Sequence, residues 1–308
     1  MKIGLYSITY LGIWYKGSAL SFKEFVIRAK KFGYDGVELD GKRPHGNPMD
    51  LDSNTRKLMR QILADEGLEI VGVAANNDFS SPIPEHRECQ LLMVREITRL
   101  AADLGAKTVR LFAAWPGIII RNGIATYDLV RGDYYTFERP YPSTTRLERW
   151  EFVKDCLGEA ANFGKEYGIV MVLQNHEPLI RHWKDCYDFV KEIDSPWLKV
   201  CLDLPCMTCF EKDFIQKAVY TVGDLQALTH FGGEFFRDNQ GKVQLKEEFN
   251  KPIPDYPHFV KLLADIGYDG YLSYELCHPL LDANHQPYGI DYVDQQTLLA
   301  QEFMKNLI

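Results

Sequence analysis

The sequence lacks both a long apolar run and an excess of basic residues. No stretch approaches the roughly 20 apolar residues that span a bilayer. Lys and Arg total 35 against 43 Asp and Glu, for a formal net charge of −8. Nucleic-acid binders need a positive field to displace counterions, so we expect neither a nucleic-acid nor a membrane partner. Gly4, Ser7 and Thr9 interrupt the first residues and no A-x-A-like site follows, which favours a first strand over a signal peptide.

Cysteine pairs of the kind that bind zinc or exchange disulfides are also scarce. The chain has seven cysteines, an odd number, and its C-x-x-C motif, Cys206 to Cys209, has no second copy to complete a zinc site. The early βαβ elements of a thioredoxin-like context are missing around it. We interpret the thiols as structural or incidental and expect a reducing, cytoplasmic location.

Short apolar runs rich in β-forming residues alternate with segments of helical spacing throughout the 308 residues. In the segment 22–32, for example, apolar residues recur on one helical face. Eight such repeats indicate a parallel sheet, and the number eight indicates a closed barrel. We therefore predict a single α/β domain over residues 1–308, a (β/α)8 TIM barrel. The predicted strands are Lys2–Tyr10, Gly36–Asp40, Glu69–Ala75, Thr108–Ala114, Ile169–His176, Leu198–Asp203, Leu225–Phe231 and Gly270–Leu276.

Two long segments interrupt this alternation. Residues 115–145, after the fourth predicted strand, are rich in Trp, Tyr, Phe and Ile, and residues 232–257 follow the seventh. Both come after the carboxyl ends of strands, where barrels of this kind carry their active sites. Loops this long are usually functional or disordered, and the aromatic content of 115–145 argues against disorder. We interpret that insertion as a lid, an aromatic subsite or a subunit contact.

Polar residues collect at the carboxyl ends of the last four predicted strands. Gln174, Asp203, His230 and Glu275 each lie at or near such an end. A buried carboxylate costs several kcal/mol unless it is paired or bound to a metal, so Asp203 and Glu275 call for a cation. With the imidazole of His230 and the side-chain oxygen of Gln174, they form a donor set suited to Mn²⁺, Mg²⁺, Co²⁺ or Zn²⁺.

Each of these residues also has a structural interpretation of its own. Asp203 could cap the following helix, His230 could be a hydrogen-bonded core histidine, and Glu275 could be an ion-pair partner. Their joint occurrence on consecutive strands, at one rim of the barrel, favours the metal site over three separate coincidences.

The sequence resembles the xylose-isomerase-like TIM-barrel superfamily of sugar isomerases and epimerases, over nearly the whole chain. The resemblance implies one divalent metal ion, with Mn²⁺ first, held by Gln174, Asp203, His230 and Glu275, and a keto-sugar or cyclitol substrate. The motifs that carry it, with the last the most specific, are Glu38 in VELD, Asn175-His176, Asp203, His230 and Tyr274-Glu275-Leu276-Cys277.

One residue departs from the superfamily pattern. Its keto-sugar epimerases have Glu at the position of Gln174, where that residue binds metal and takes part in proton transfer. A glutamine can still ligate through oxygen, but it cannot act as a base. We expect His176, which is on the same strand face, to be the catalytic base, alongside Glu275. An unperturbed pKa near 6.5 suits this role. The other interpretation of His176 is a hydrogen bond to a metal ligand.

The chemistry common to the superfamily begins when the metal polarises a carbonyl and a base removes the adjacent proton. Reprotonation then gives isomerisation or epimerisation, whereas loss of a β-leaving group gives elimination. The aromatic insertion, the single base and Gln174 most resemble the α subunits of C-glycoside deglycosidases. The resemblance implies a lyase that acts on a 3-oxo-glycoside together with a small β subunit. The alternatives are a keto-sugar isomerase or epimerase and an inosose-dehydratase-like enzyme.

Several weaker candidates and two other classes remain. A phosphorylated sugar is disfavoured, because Lys42-Arg43 is the only basic pair after an early strand. An abasic-site DNA endonuclease with three zinc ions is disfavoured by the acidic charge, and a noncatalytic barrel that acts as a sugar-binding or scaffold subunit is suggested by Gln174. Candidate substrate contacts are Glu38, His45, Arg110, Trp115 and His278, of which Arg110 could equally be an ion-pair residue.

Overall fold

The computed structural model describes residues 1–115, 117–126, 144–247 and 253–308. Eight parallel strands close into a barrel, which confirms the predicted (β/α)8 architecture. Around the barrel the strand order is β1, β12, β9, β8, β7, β4, β3 and β2, and β2 pairs with β1 to close the ring. These strands are β1 (Lys2–Tyr6), β2 (Gly36–Asp40), β3 (Glu69–Ala74), β4 (Thr108–Leu111), β7 (Val170–Gln174), β8 (Leu198–Cys201), β9 (Gln226–Gly232) and β12 (Tyr271–Glu275).

Helices cover the outside of the barrel. The first has a capping box in which the Ser21 side chain and Glu24 satisfy each other's backbone donors, and it buries Phe25, Val26 and Ala29 against the strands. Gly105 ends the third helix at a φ of 83°, a left-handed conformation that favours glycine. The helices described are α1 (Phe22–Lys31), α2 (Ser53–Glu66), α3 (Pro84–Leu104), α4 (Arg146–Tyr167), α5 (Trp183–Ile193), α6 (Lys212–Val222), α7 (Tyr256–Asp265) and α8 (Ile290–Lys305).

Several strands are shorter at the carboxyl rim than the sequence predicts. Residues Ser7–Tyr10 form a 3-10 turn after β1, and β4 ends at Leu111. Just past β4, the side-chain amide of Asn77 takes the place of a neighbouring strand's backbone. It accepts from Phe112 N at 3.1 Å and donates to Phe112 O at 2.6 Å. These rim residues are as buried as the strands themselves, so burial cannot separate the two.

Two hairpins occupy parts of the predicted long segments. Strands β5 (Ile119–Arg121) and β6 (Ile124–Thr126) form one, and the rest of the aromatic insertion, 116 and 127–143, lies outside the described residues. Strands β10 (Phe235–Arg237) and β11 (Val243–Leu245) form the other, within the predicted segment 232–257. In that segment, 248–252 lie outside the described residues. This second hairpin is attached to α8, since Phe235 N donates to Gln296 at 2.6 Å.

Neither a membrane anchor nor a cystine is found in the residues described. No helix among them combines the length and the apolar character needed to cross a bilayer. All seven cysteines are free thiols, including Cys206 and Cys209.

Candidate active site

A cavity opens at the carboxyl ends of the barrel strands. Arg110 on β4, Gln174 and His176 at the end of β7, and Glu275 at the end of β12 face one side of it. Its apolar wall is formed by Ile8, Trp14, Phe112, Trp115 and Ile118. A largely aromatic wall beside ionisable groups is typical of a small-molecule site.

Five side chains at the ends of five barrel strands form a closed ring of hydrogen bonds beneath this cavity. Arg110 Nε donates to Glu38 Oε1 at 3.2 Å, and Arg110 Nη1 donates to Gln174 Oε1 at 2.6 Å. Gln174 Nε2 then donates to Asp203 Oδ2 at 2.5 Å. His230 closes the ring, with Nδ1 2.8 Å from Asp203 Oδ2 and Nε2 2.7 Å from Glu38 Oε2. We call this set of five residues the polar ring.

The charges in the polar ring oppose one another. Burial alone would raise the pKa of Glu38 and of Asp203, but the facing imidazole outweighs it and both pKa values lie below their usual range. Burial alone would lower the pKa of His230, but the two carboxylates outweigh it and raise that pKa well above its usual value. Two carboxylates therefore face two cationic groups, Arg110 and His230, in a volume that excludes water.

Three side chains near the ends of β8 and β9 could hold a metal ion. Cys201, Asp203 and His230 each offer one ligand atom, and these atoms lie within 4.8 Å of one another. Burial raises the pKa of the Cys201 thiol far above its ordinary value, so the thiol stays protonated and donates to Asp203 Oδ1 at 3.3 Å. Carboxylate and imidazole donors suit a divalent ion such as Mn²⁺, Co²⁺ or Zn²⁺. The residues present therefore fit a divalent cation.

Glu275 lies beside these residues, and its side chain has no hydrogen-bond partner among the residues described. Burial raises the pKa of this carboxyl group, although His230 and Arg110 pull it the other way. A carboxylate that protein donors leave unpaired in a cavity is available either to a cation or to a proton.

His176 lies just past β7 with its ring against two aromatic side chains that stack on each other. The ring packs edge-on against Phe112 and Trp115, with centroids 5.1 Å apart in both pairs. His176 Nδ1 is 2.6 Å from the carbonyl oxygen of Glu177, and because a carbonyl only accepts, Nδ1 carries the hydrogen and Nε2 keeps its lone pair. Burial lowers the pKa of His176 to about 4. The ring is therefore neutral at pH 7, but it is a weaker base than an ordinary imidazole.

The side chain of Gln174 is oriented by its two neighbours. Arg110 can only donate hydrogen bonds and ionised Asp203 can only accept them, so the amide oxygen faces Arg110 and the NH₂ group faces Asp203. The opposite orientation would set donor against donor. The oxygen expected to bind a metal thus faces Arg110, and the NH₂ group, which has no lone pair for a metal, faces Asp203.

The cavity has a second polar side that the sequence analysis missed. Tyr6, Asp40, Lys42 and Asn76, from the ends of β1, β2 and β3, line it. The signal was present, because Asp40 and Lys42 directly follow an apolar strand in the way that Asp203 does.

The family model for the xylose isomerase-like TIM barrel matches residues 26–296 of the chain. The chain belongs to this family.

Solved structures of sugar epimerases share the fold of this xylose isomerase-like barrel over its whole length. A D-psicose 3-epimerase crystallised with D-fructose superposes with a TM-score of 0.73 at 16% identity, covering 100% of this chain and 99% of that one. A 3-keto-D-glucoside 4-epimerase from E. coli gives 0.67 at 19% identity, with 99% of both chains covered. An L-ribulose 3-epimerase gives 0.68 at 16%, covering 99% of this chain and 93% of that one. No curated protein matches the chain by sequence.

The structure separates the weaker substrate-contact candidates of this xylose isomerase-like barrel into two groups. Arg110 and Trp115 line the cavity, and Arg110 is also the ion-pair partner of Glu38. Glu38 is buried beneath Arg110 in the polar ring and is not a lining residue.

The other two candidates, His45 and His278, do not line this cavity. His45 is 1% exposed, stacks on Phe25 and has Nε2 2.8 Å from the carbonyl oxygen of Leu20, so its contacts are those of a core residue. His278 has Nε2 3.5 Å from a carboxylate oxygen of Glu234 and is not among the lining residues.

The capping interpretation of Asp203 is wrong. Asp203 precedes a 3-10 turn, Leu204–Cys206, but its side chain makes no capping hydrogen bond there. Instead, Oδ1 accepts from His230 N at 2.7 Å. Asn175 fixes the backbone of Asp203 from the other side, accepting from Asp203 N at 2.7 Å and donating to Asp203 O at 3.1 Å. This positioning contact was also missed, although Asn175 belongs to one of the motifs quoted.

Proposed function

We propose that this xylose isomerase-like barrel enolises a keto-sugar and returns the proton, giving epimerisation or isomerisation, with a divalent cation as cofactor. The observation that carries the proposal is the placement of two proton-transfer groups. His176 follows β7 and Glu275 ends β12, and the strands between them, β8 and β9, carry Asp203 and His230. Epimerisation removes a proton from one face of a carbon and returns it to the other, so groups on two flanks suit it.

The residues of the chain have distinct roles in this proposal. Nε2 of neutral His176 has the free lone pair that a base needs. The raised pKa of Glu275 brings this carboxyl group closer to neutral pH, as proton exchange requires. The guanidinium of Arg110 provides a fixed positive charge at the cavity.

The cation would be held by Asp203, His230 and Glu275, with Mn²⁺ the first candidate and Mg²⁺, Co²⁺ or Zn²⁺ the others. When bound, it would polarise the carbonyl of the substrate. Gln174 joins this set only if its oxygen turns away from Arg110. The substrate class is supported by the solved structures of similar fold, which are named as epimerases of D-psicose, a 3-keto-D-glucoside and L-ribulose.

Elimination from a 3-oxo-glycoside is the second candidate function. The observation that favours it is the neutral side chain of Gln174, which leaves Glu275, among the residues described, as the one lining carboxylate opposite Asp40. The aromatic wall formed by Trp14, Phe112 and Trp115 would suit an aromatic leaving group. In this case a small β subunit, as in the C-glycoside deglycosidases, is the expected partner.

Proton exchange tests both functions at once. The Mn²⁺-loaded protein is incubated in D₂O with D-psicose or with an aryl 3-oxo-glucoside, and the sugars are followed by NMR. We expect deuterium beside the carbonyl together with inverted or isomerised product. Release of the phenol would favour elimination instead, and the same reaction with candidate small subunits tests the partner. An absence of deuterium from both sugars would contradict enolisation.

A further inference from the structure

The second polar side of the cavity lies across the barrel from Asp203. Asp40 ends β2, and β2 is four strands away from β8 in either direction around the barrel. The carboxylate of Asp40 is fully buried and has three side-chain donors. Tyr6 OH donates at 2.8 Å, Asn76 Nδ2 donates at 2.9 Å, and Lys42 Nζ lies 3.1 Å away.

These contacts orient Lys42 and Asn76 toward the cavity that they line. An ionised carboxylate only accepts hydrogen bonds, so the NH₂ group of Asn76 faces Asp40 and its carbonyl oxygen faces away. Among the residues described, that oxygen has no hydrogen-bond partner. The ammonium of Lys42 has three N–H groups, and among the residues described its one partner is Asp40. Its side chain is 30% exposed, so the remaining donors are accessible.

The charge balance of this side selects the kind of ligand that it can bind. The positive charge of Lys42 is balanced by Asp40, so an anionic group would meet a carboxylate behind the ammonium. A cation would meet the ammonium itself. Lys42 and Asn76 together present one donor and one acceptor. This arrangement complements two neighbouring hydroxyl groups, each of which both donates and accepts.

We propose that Lys42 and Asn76 bind two adjacent hydroxyls of the sugar, at the end remote from the reacting carbonyl, and so select its configuration. This inference rests on the proposed function. Buried polar groups that a ligand leaves unpaired are costly, so such a site rejects analogues that lack the hydroxyl. Asp40 and Tyr6 are positioning residues, because they hold the pair in place rather than touch the sugar.

Equilibrium binding tests this inference separately from turnover. The quenching of tryptophan fluorescence is measured with D-psicose and with its 5-deoxy and 6-deoxy analogues, because Trp14 and Trp115 line the cavity. The proteins are the wild type, Lys42→Met and Asn76→Ala, each checked by its melting temperature. Lys246→Met is the matched control, because Lys246 pairs with Glu234 at 3.3 Å in the same way but is not a lining residue.

We expect Lys42→Met to weaken D-psicose binding about tenfold or more and Asn76→Ala about threefold. The deoxy analogue that lacks the bound hydroxyl should bind the wild type as weakly as D-psicose binds the variant of the residue that contacts this hydroxyl. That variant should bind the deoxy analogue no more weakly than the wild type does. Lys246→Met should bind as the wild type does. Unchanged D-psicose binding in both Lys42→Met and Asn76→Ala would overturn the inference.

Two further results separate this inference from the proposed function. If the wild-type protein binds D-psicose through Lys42 but exchanges no proton, the hydroxyl site is supported and the proposed reaction is contradicted. A phosphorylated keto-sugar that binds tenfold tighter than D-psicose, through Lys42, would show an anion site and overturn the diol assignment. Wild-type protein that binds none of these sugars contradicts both proposals.

Discussion

Two buried aspartates, Asp203 and Asp40, lie across the barrel from each other and have opposite surroundings. The carboxylate of Asp203 is next to the imidazole of His230, which can offer a ring-nitrogen lone pair to a cation once the ring gives up a proton. The carboxylate of Asp40 is surrounded by donors, from a phenol, an amide and an ammonium. A cation needs several lone pairs, whereas a hydroxyl group needs both a donor and an acceptor. An aspartate at the carboxyl rim of the barrel can thus belong to either kind of site, and the groups next to it decide which.

The largest expected effect tests whether the chemistry belongs to the Asp203 side. His176→Ala should lower turnover of the keto-sugar by about 10²- to 10⁴-fold, the usual contribution of general-base catalysis. Bound metal should not change, because among the residues described the ring of His176 is hydrogen-bonded to the carbonyl of Glu177 and to none of the proposed ligands. Metal analysis and initial rates measure the two effects. His258→Ala, on α7, is the control, and turnover within twofold of the wild type in His176→Ala would rule out the base assignment.

The second effect distinguishes the two aspartates directly. An ion that binds only the folded state stabilises it by about 2.7 kcal/mol at a hundredfold excess over its dissociation constant. Asp203→Asn should lose the rise in melting temperature caused by Mn²⁺, and Asp40→Asn should keep it. Thermal unfolding with and without MnCl₂ measures this. An equal response of the two variants would remove the distinction.

A smaller effect is expected at Gln174. Gln174→Glu places a second carboxylate beside Asp203, so without a cation the protein should be less stable by about 1 to 2 kcal/mol. With Mn²⁺ the deficit should reverse, because the new oxygen is a ligand, and the Mn²⁺ dissociation constant should fall. Titration calorimetry and urea unfolding give these quantities. Gln174→Met, neutral and of similar size, is the control; Mn²⁺ binding in Gln174→Glu no tighter than in the wild type would contradict this account.

The smallest effect concerns pH and the Asp40 side. Burial would raise the pKa of Asp40, but Lys42, Tyr6 and Asn76 outweigh it and the pKa lies below its usual value. A lowered folded pKa contributes stability above the unfolded value, about pH 4 for Asp, which is lost as the pH falls through the folded value. Lys42→Met should therefore cost about 1 kcal/mol at pH 7, and progressively less below about pH 4.

Urea unfolding of the wild type and Lys42→Met between pH 2.5 and pH 7 measures this loss. Lys246→Met provides the comparison with an exposed ion pair. A difference between wild type and Lys42→Met that stays constant over the whole range would show that the loss is due to packing rather than charge.

The barrel could be predicted from the sequence, because alternating strand and helix patterns recur along the chain and are local signals. Strand ends could not, since the rim residues Ser7–Tyr10 are as buried as the strand before them. Proximity of Asp203 and His230 was also predictable, because the carboxyl ends of neighbouring parallel strands meet at one rim. The orientation of Gln174 was not, because it depends on Arg110, which is distant in the chain and belongs to no shared motif.

The polar ring draws its members from both halves of the chain. Glu38 and Arg110 come before the aromatic insertion, whereas Gln174, Asp203 and His230 come after it. A half-barrel would hold charged groups whose partners are on the missing half, and unpaired charges inside a fold are strongly destabilising. The buried charges are therefore paired only when the two halves of the barrel come together. The polar ring cannot form while the barrel is still open.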